Sequence, residues 1–354
     1  MVSIQEMLKQ VLDMNASDLH LTAGSPPLYR LDGRLVPQGV DKLDPDQVLS
    51  LAYSVMNEEQ KKTFEQSKEV DFSFGVRNLS RFRANVFLQR GCAAAAIRQI
   101  PYRIHSLEAL GLPQVVARLL DKPNGLVLVT GPTGSGKTTT LASMVDKINS
   151  EKEGHILTVE DPIEFVHPHK KCIINQREVR QDTQTFSSAL RVALRQDPDF
   201  VLIGEMRDLE TIQAALTIAE TGHLTLATLH TNSAAQTINR VIDVFPSEQK
   251  ATVRAQLSMV LEAVISQALL PRVQGGGRIM ACEILVATPA IRALIRDDKV
   301  HQMQGMIEIG QQYGMQTMNA SLAGLFRKRL VSLKDAMGKS PDPDGLKKLL
   351  DQGV

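Results

Sequence analysis

Tryptophan is absent from this chain of 354 residues, and aromatic residues make up only 4% of it. That is poor material for the stacking platforms on which single-stranded nucleic acids are held. Net charge is +1, so no global basic field exists to gather a polyanion or an anionic membrane surface. Both shortages argue against a nucleic-acid partner. The three cysteines, Cys92, Cys172 and Cys282, are far apart and form no C-x-x-C pair. They read as buried or free thiols of a reducing compartment. His167, His169 and Cys172 have metal-like spacing, but no fourth ligand pattern accompanies them. No apolar run approaches ~18 residues and no signal-type apolar core opens the chain, so a cytoplasmic protein meeting membranes only through partners is expected.

What is present is concentrated in residues 125–140, GLVLVTGPTGSGKTTT. Leu126, Val127, Leu128 and Val129 form an unbroken apolar run, as in a strand buried on both faces of a parallel sheet. The next eight residues, from Gly131 to Thr138, fit G-x-x-x-x-G-K-[ST] at every specified position. Leu141, Met144, Val145 and Ile148 then mark one face of a helix. Strand, glycine loop and helix follow in the order a phosphate cradle needs. Thr133, Gly134, Ser135, Gly136 and Thr139 complete that cradle, in which backbone N–H groups converge at a helix N-terminus. Lys137 is expected to reach the β- and γ-phosphates of ATP, and the Thr138 hydroxyl to ligate Mg²⁺. The chain is a nucleotide-binding protein.

Before this loop the pattern is α+β, over residues 1–100. A first helix carries Ile4, Met7, Leu8, Val11 and Leu12 on one face, and residues 17–22 alternate as a strand. A hairpin is expected around Asp32 and Gly33, and one helix over residues 45–66. Residues 72–76 and 81–88 form a strand pair turning through Arg77, Asn78, Leu79 and Ser80. Period two places Arg81 and Arg83 on one surface, suited to a polyphosphate or simply to solvent. Prolines and glycines in residues 101–124 mark a linker. Residues 125–288 alternate strands and helices as an α/β core. Asp208 is expected to cap one helix closed by Gly222, and Ser247 a longer one carrying Val253, Leu257, Leu261, Val264 and Ala268. Residues 289–354 are helical, with methionine-rich stripes read as core or as a partner surface. Near their start Ile291, Leu294 and Ile295 share a face, leaving Arg292, Arg296, Asp297 and Lys299 for a partner.

Function is decided by how the core strands end. Residues 155–159 run into Glu160 and Asp161, residues 200–203 into Gly204 and Glu205, and residues 224–229 into His230. In open α/β sheets ligands bind beyond the carboxyl ends of the strands. Glu205 is the candidate to activate or orient the attacking water, and Glu160 and Asp161 to organise the Mg²⁺ hydration shell. His230 is placed to sense the γ-phosphate or to transmit its loss.

The stretches TGPTGSGKTTTLA, TVEDPIEF, RQDPDFVLIGEMRDLETI and LATLHTNSA together resemble the secretion-superfamily ATPases of type II secretion and type IV pili. Glu160 and Asp161 match that family's Asp box, Glu205 its catalytic Walker B glutamate and His230 its His box. ASDLHLTAGSPP, LSRFRANVF, INQREV and AIRALIRDDKVHQM are similar to the pilus retraction ATPases in particular. Ala293 and Asp297 stand where that motif has Asn and Glu, and Thr138 where it usually has Ser. The resemblance implies a RecA-like core, a PAS-like N-terminal domain and a ring-shaped homo-hexamer. It further implies that Arg81 and Arg83 serve a nucleotide site of their own subunit or a neighbour's. Expected partners are an inner-membrane platform protein of the pilus machinery and an accessory retraction ATPase, met at the cytoplasmic face of the inner membrane. An assembly or secretion ATPase of the same superfamily is the nearest rival reading, though such proteins are typically longer at the N-terminus and many carry a tetracysteine site that this chain lacks; an accessory retraction ATPase is a further one, which the retraction motif disfavours.

Overall fold

The computed structural model describes residues 3–31, 33–39, 41–77, 79–100 and 104–351. It divides into two compact units: Met1–Arg103 with Ile163–Val166, and Ile104–Pro162 with His167–Val354.

The first unit contains α1 (Ile4–Asp13), β1 (Asp18–Thr22), β2 (Leu28–Leu31), β3 (Arg34–Pro37), α2 (Pro45–Tyr53), α3 (Glu58–Ser67), β4 (Glu69–Val76), β5 (Ser80–Gln89) and β6 (Cys92–Ile100). Its strands form one antiparallel sheet in the order β3-β2-β1-β6-β5-β4. Phe82, Ala84 and Val86 of β5 point into a core shared with Leu8, Leu19 and Phe72, as period two requires. The single helix expected over residues 45–66 is two. Asn57 accepts the Gln60 N–H at 2.8 Å and Gln60 caps the Asn57 N–H in return, so a complete capping box starts a new helix there. β2 and β3 pair as a hairpin; of the turn residues named from the sequence, Asp32 and Asn78 lie outside the described residues, as do residues 101–103 of the expected linker.

The second unit contains α4 (Gln114–Leu119), β7 (Gly125–Thr130), α5 (Lys137–Glu151), β8 (Gly154–Glu160), β9 (Cys172–Glu178), α6 (Phe186–Ala193), β10 (Phe200–Ile203), α7 (Leu209–Glu220), β11 (Leu224–Leu229), α8 (Ala234–Asp243), α9 (Lys250–Val260), β12 (Leu261–Pro271) and β13 (Arg278–Val286). Among the described residues five α-helices follow: α10 (Pro289–Arg296), α11 (Met303–Ile309), α12 (Met318–Arg327), α13 (Leu333–Lys339) and α14 (Pro343–Asp351). The sheet order is β13-β12-β7-β11-β10-β8-β9, parallel except for the β12–β13 pair. β7 lies inside it and is buried throughout. Leu126 and Leu128 pack on one side with α6 to α9, while Val127 and Val129 pack on the other with α4 and α5. The sheet is thus covered on both faces, which is why its strands read as continuous apolar runs.

The long helix expected from Ser247 is corrected. α9 stops at Val260, Leu261 turns extended, and Leu261–Pro271 is the strand β12 beside the phosphate-loop strand. Leu257, Leu261, Val264 and Ala268 keep helical spacing, yet β12 is buried on both faces from Ala263 to Ala268, so successive positions there are enclosed whichever side they face. β9 and α6 were not anticipated. β9 is an edge strand whose exposed Ile173 alternates with buried Cys172 and Ile174. The methionine stripes are core: Met303 and Met315 join the cluster beneath α6 to α9, and Met318 packs with Leu322, Ala336 and Leu346. Among the described residues no helix is long and apolar enough to cross a membrane.

Candidate functional site

The chain leaves β7 through Gly131, whose φ is 143°. A Cβ there would lie 2.5 Å from both the Gln267 carbonyl oxygen and Ser135 Oγ, so the loop closes on itself only with glycine. Gly136 is the N-cap of α5 at φ 91°, and no side chain caps that helix. Its first N–H groups therefore remain for a ligand, together with the positive end of the helix dipole. Lys137 is 8% exposed and its Nζ donates to the carbonyl oxygens of Gly131 and Pro132 at 2.9 and 3.1 Å. The ammonium is laid across the loop. Ser135 Oγ is buried without a hydrogen-bond partner among the described residues. Thr133 and Gly134 are exposed at the loop tip, and Thr138 and Thr139 are half-buried in the first turn of α5. A buried orphan hydroxyl, an uncapped helix start and a loop closed only by glycine fit a bound polyphosphate.

Parallel pairing brings the other strand ends to the same edge. Thr130 of β7 stands beside Leu229 of β11, and Ile203 of β10 beside Ala227 of β11 and Val159 of β8. Glu160, the last residue of β8, is 8% exposed and accepts hydrogen bonds from Thr158 Oγ1 at 2.7 Å and Gln176 Nε2 at 3.2 Å. Asp161 is exposed, 3.8 Å from the Arg180 guanidinium. Gly204 allows the ends of β8 and β10 to close up, since a Cβ on it would sit 3.2 Å from Glu160 Cα and the Val159 oxygen. Beyond it Glu205 lies between two side chains, 3.2 Å from His230 Nε2 and 2.7 Å from Arg207 Nη2. Partial burial opposes its charge, but the Arg207 hydrogen bond and the neighbouring His230 and Arg207 charges outweigh this and hold the carboxyl below its ordinary range. By donor type alone, the Glu160 and Asp161 carboxylates and the Thr138 hydroxyl fit a hydrated Mg²⁺.

Several participants were missed from the sequence. Arg207, two residues past Glu205 in GEMRD, carried a legible signal as a charge at the same strand end. A chain of hydroxyls carried none: Thr130 Oγ1 lies 2.7 Å from Ser266 Oγ and 3.5 Å from Thr237 Oγ1, which is 2.7 Å from Thr231 Oγ1. It ties the end of β7 to β12, to α8 and to the residue after His230. Arg81 and Arg83 belong to the first unit; Arg83 pairs with Asp71 across β4 and β5, Nε donating at 3.0 Å. His169 and Cys172 are engaged with backbone, the ring nitrogen accepting the Ile174 N–H at 3.0 Å and the thiol donating to the Lys152 oxygen at 3.1 Å. The neighbouring His167 is driven down to about 4 by burial.

One expectation near the C-terminal helices is corrected. Arg292 is not free for a partner: it donates to the Ser258 and Met259 carbonyls at 2.8 and 2.6 Å and pairs with Glu262 at 2.6 Å. It closes the carboxyl end of α9, where a cation is favoured. Arg296 remains 59% exposed.

Residues 1–337 match the family described as "Type II/IV secretion system protein". The chain is 54% identical to the "Type IV pilus retractation ATPase PilT" of Pseudomonas aeruginosa, over 97% of its own length and 99% of the relative's. It is 48% identical to the "Twitching motility protein" of Neisseria gonorrhoeae, over 90% of its length and 86% of that protein's. Its fold superposes on a crystal structure of the pilus retraction motor PilT with bound ADP at a TM-score of 0.92, with 50% identity and 98% and 100% of the two chains covered. A phosphate loop with Glu160, Glu205 and His230 at the neighbouring strand ends thus comes with similarity along nearly the whole length, and the chain belongs to the type II/IV secretion system protein family.

Proposed function

We propose that the chain is the ATPase motor of type IV pilus retraction, hydrolysing ATP to ADP and phosphate to disassemble the pilus in twitching motility. The observation that carries the reading is the Glu205–His230 contact on the sheet edge that also bears the phosphate loop, in a chain 54% identical to a named pilus retraction ATPase. In this reading the second unit is a RecA-like core, the first is PAS-like, and six copies form a ring. The ring works at the cytoplasmic face of the inner membrane against a platform protein of the pilus machinery, with an accessory retraction ATPase as a further partner.

The loop N–H groups and Lys137 bind the β- and γ-phosphates, with Thr133, Gly134, Ser135, Gly136 and Thr139 shaping the cradle. Thr138, Glu160 and Asp161 are the residues that would hold a hydrated Mg²⁺, which would neutralise phosphate charge when bound. Glu205 orients the attacking water and accepts its proton, a role suited to a carboxyl kept ionised. His230, hydrogen-bonded to Glu205, links that event to α8. Arg81 and Arg83 add positive charge to a nucleotide site of their own or a neighbouring subunit.

The test is Lys137→Ala. ATP affinity by calorimetry should fall, and both phosphate release and twitching in cells carrying the variant should be lost. Wild-type affinity would reject the site. Lost hydrolysis with normal twitching would reject the motor role.

A further inference from the structure

Thr237 on α8 is fully buried and lies outside the catalytic constellation. It shares the enclosed face of the helix with Ile238, Val241 and Ile242, where a hydroxyl is costly unless it is hydrogen-bonded. Its Oγ1 lies 2.7 Å from the Ser233 carbonyl oxygen and 2.7 Å from Thr231 Oγ1. A carbonyl oxygen only accepts, so the single Thr237 proton goes to Ser233. Thr231 must then be the donor, and Thr237 the acceptor, in the second contact. The Ser233 bond alone would satisfy the Thr237 proton. The bond from Thr231 is additional, and it acts on chain outside the helix.

The position of Thr231 gives that bond its meaning. β11 ends at Leu229 and α8 begins at Ala234, so His230 and Thr231 lie in a four-residue connection. Within it the His230 ring is 41% exposed, with Nε2 3.2 Å from Glu205 Oε1. A ring so open to solvent has little packing to hold it, and its aim is set by the backbone beneath it. Thr231, the next residue, is pinned through Thr237 to the first turn of α8, whose Ile238, Val241 and Ile242 are set in the core. Thr237 Oγ1 is also 3.5 Å from Oγ1 of Thr130, the last residue of β7, and Ser266 Oγ holds Thr130 at 2.7 Å. The bond from Thr231 therefore refers His230 to buried hydroxyls that border the phosphate loop.

We propose that Thr237 is a positioning residue for hydrolysis: by accepting the Thr231 hydrogen bond it sets the connection after β11 so that His230 meets Glu205. The proposal rests on the nucleotide-site reading above. Without that bond Thr231 turns to water, the connection moves, and the Glu205–His230 contact opens while the phosphate loop stays as it is.

Thr237→Val keeps the shape and removes the hydroxyl. The Ser233 carbonyl keeps a partner, since it also accepts the Thr237 N–H at 3.0 Å. In steady-state phosphate release kcat should fall about tenfold with KM for ATP within about twofold, because only the aim of the reacting groups is lost. Thr237→Ser restores the hydroxyl and should recover kcat to within about twofold of wild type. Thr231→Val removes the same bond from its other end, so the double variant should lose no more than about twofold beyond either single one. A second readout needs no nucleotide: labelling of His230 by diethyl pyrocarbonate, followed by peptide mass spectrometry. Its rate should rise about twofold or more in Thr237→Val, as Nε2 leaves Glu205, and stay at the wild-type value in Thr237→Ser. Should Thr237→Val fail to fold, Thr231→Val at the half-buried end carries the same kinetic and labelling test. Unchanged kcat in either folded Val variant overturns the proposal, as do losses that multiply in the double variant, a Ser variant as impaired as Val, or His230 labelling that does not respond. A wild type that binds no AMP-PNP by calorimetry overturns the nucleotide-site reading, whatever the labelling shows.

Discussion

Glu205 sits between Arg207 and His230, and each contact predicts a different experiment. Glu205→Gln keeps the side chain's shape but removes the proton acceptor. ATP should still bind, while turnover falls by roughly 10²-fold or more; near-normal phosphate release would refute the assignment. Arg207→Ala removes the leading contribution that holds the Glu205 carboxyl down against burial, leaving only that of His230. The Glu205 pKa should therefore rise, and the acid limb of the kcat–pH profile should move to higher pH. A limb that stays in place would separate Arg207 from the chemistry. The direction is consistent with stability as well. A depressed carboxyl contributes stability above the ordinary glutamate range and loses it as pH falls through the lowered value. Glu205 and His230 were legible because each stands just past the end of a core strand, whereas Arg207, two residues further on, was missed. Their pairing was not legible, since distance across strand ends depends on register and on Gly204, where a Cβ would press against Glu160.

Among the elements, helix faces were legible and helix limits were less so. Asn57 divides α2 from α3 by its capping box, so Asn57→Ala should cost about 1 kcal/mol in denaturant unfolding. No change would mean that the break is held by packing instead. The face of α10 was read correctly, with Ile291 and Ile295 fully buried, but residues off an apolar face are not thereby free. Arg292 binds the last carbonyls of α9 and shares Glu262 with Lys122, whereas Arg296 is exposed. Arg292→Ala should destabilise by about 1.5–3 kcal/mol, the range for a hydrogen-bonded charge. Arg296→Glu should leave the Tm and phosphate release unchanged and, on the proposed function, reduce twitching. A normal Tm for Arg292→Ala would overturn the capping role. Normal twitching with Arg296→Glu would remove that side chain from partner binding.

For the whole molecule, the proposal of a closed ring is checked by mass. Light scattering should find six times the chain mass, rising with protein concentration and with Mg²⁺ and nucleotide; a monomer under all conditions would reject it. The sequence by itself determined what is local and periodic. The phosphate loop is one contiguous run whose glycines, lysine and threonine are required by backbone geometry and charge. Strands buried on both faces announce themselves as apolar runs, and in a parallel sheet their ends must share an edge. Neighbours were the business of tertiary structure. α9 and β12 share one helical spacing in sequence, and only enclosure beside β7 makes residues 261–271 a strand. Thr130 meets Ser266 across 136 residues, and Ala234 meets Glu283 across 49. A hydroxyl or carboxyl within an apolar run has no pattern that names its partner. Periodicity reveals which face a side chain occupies, and only the packing of that face against another decides what it touches.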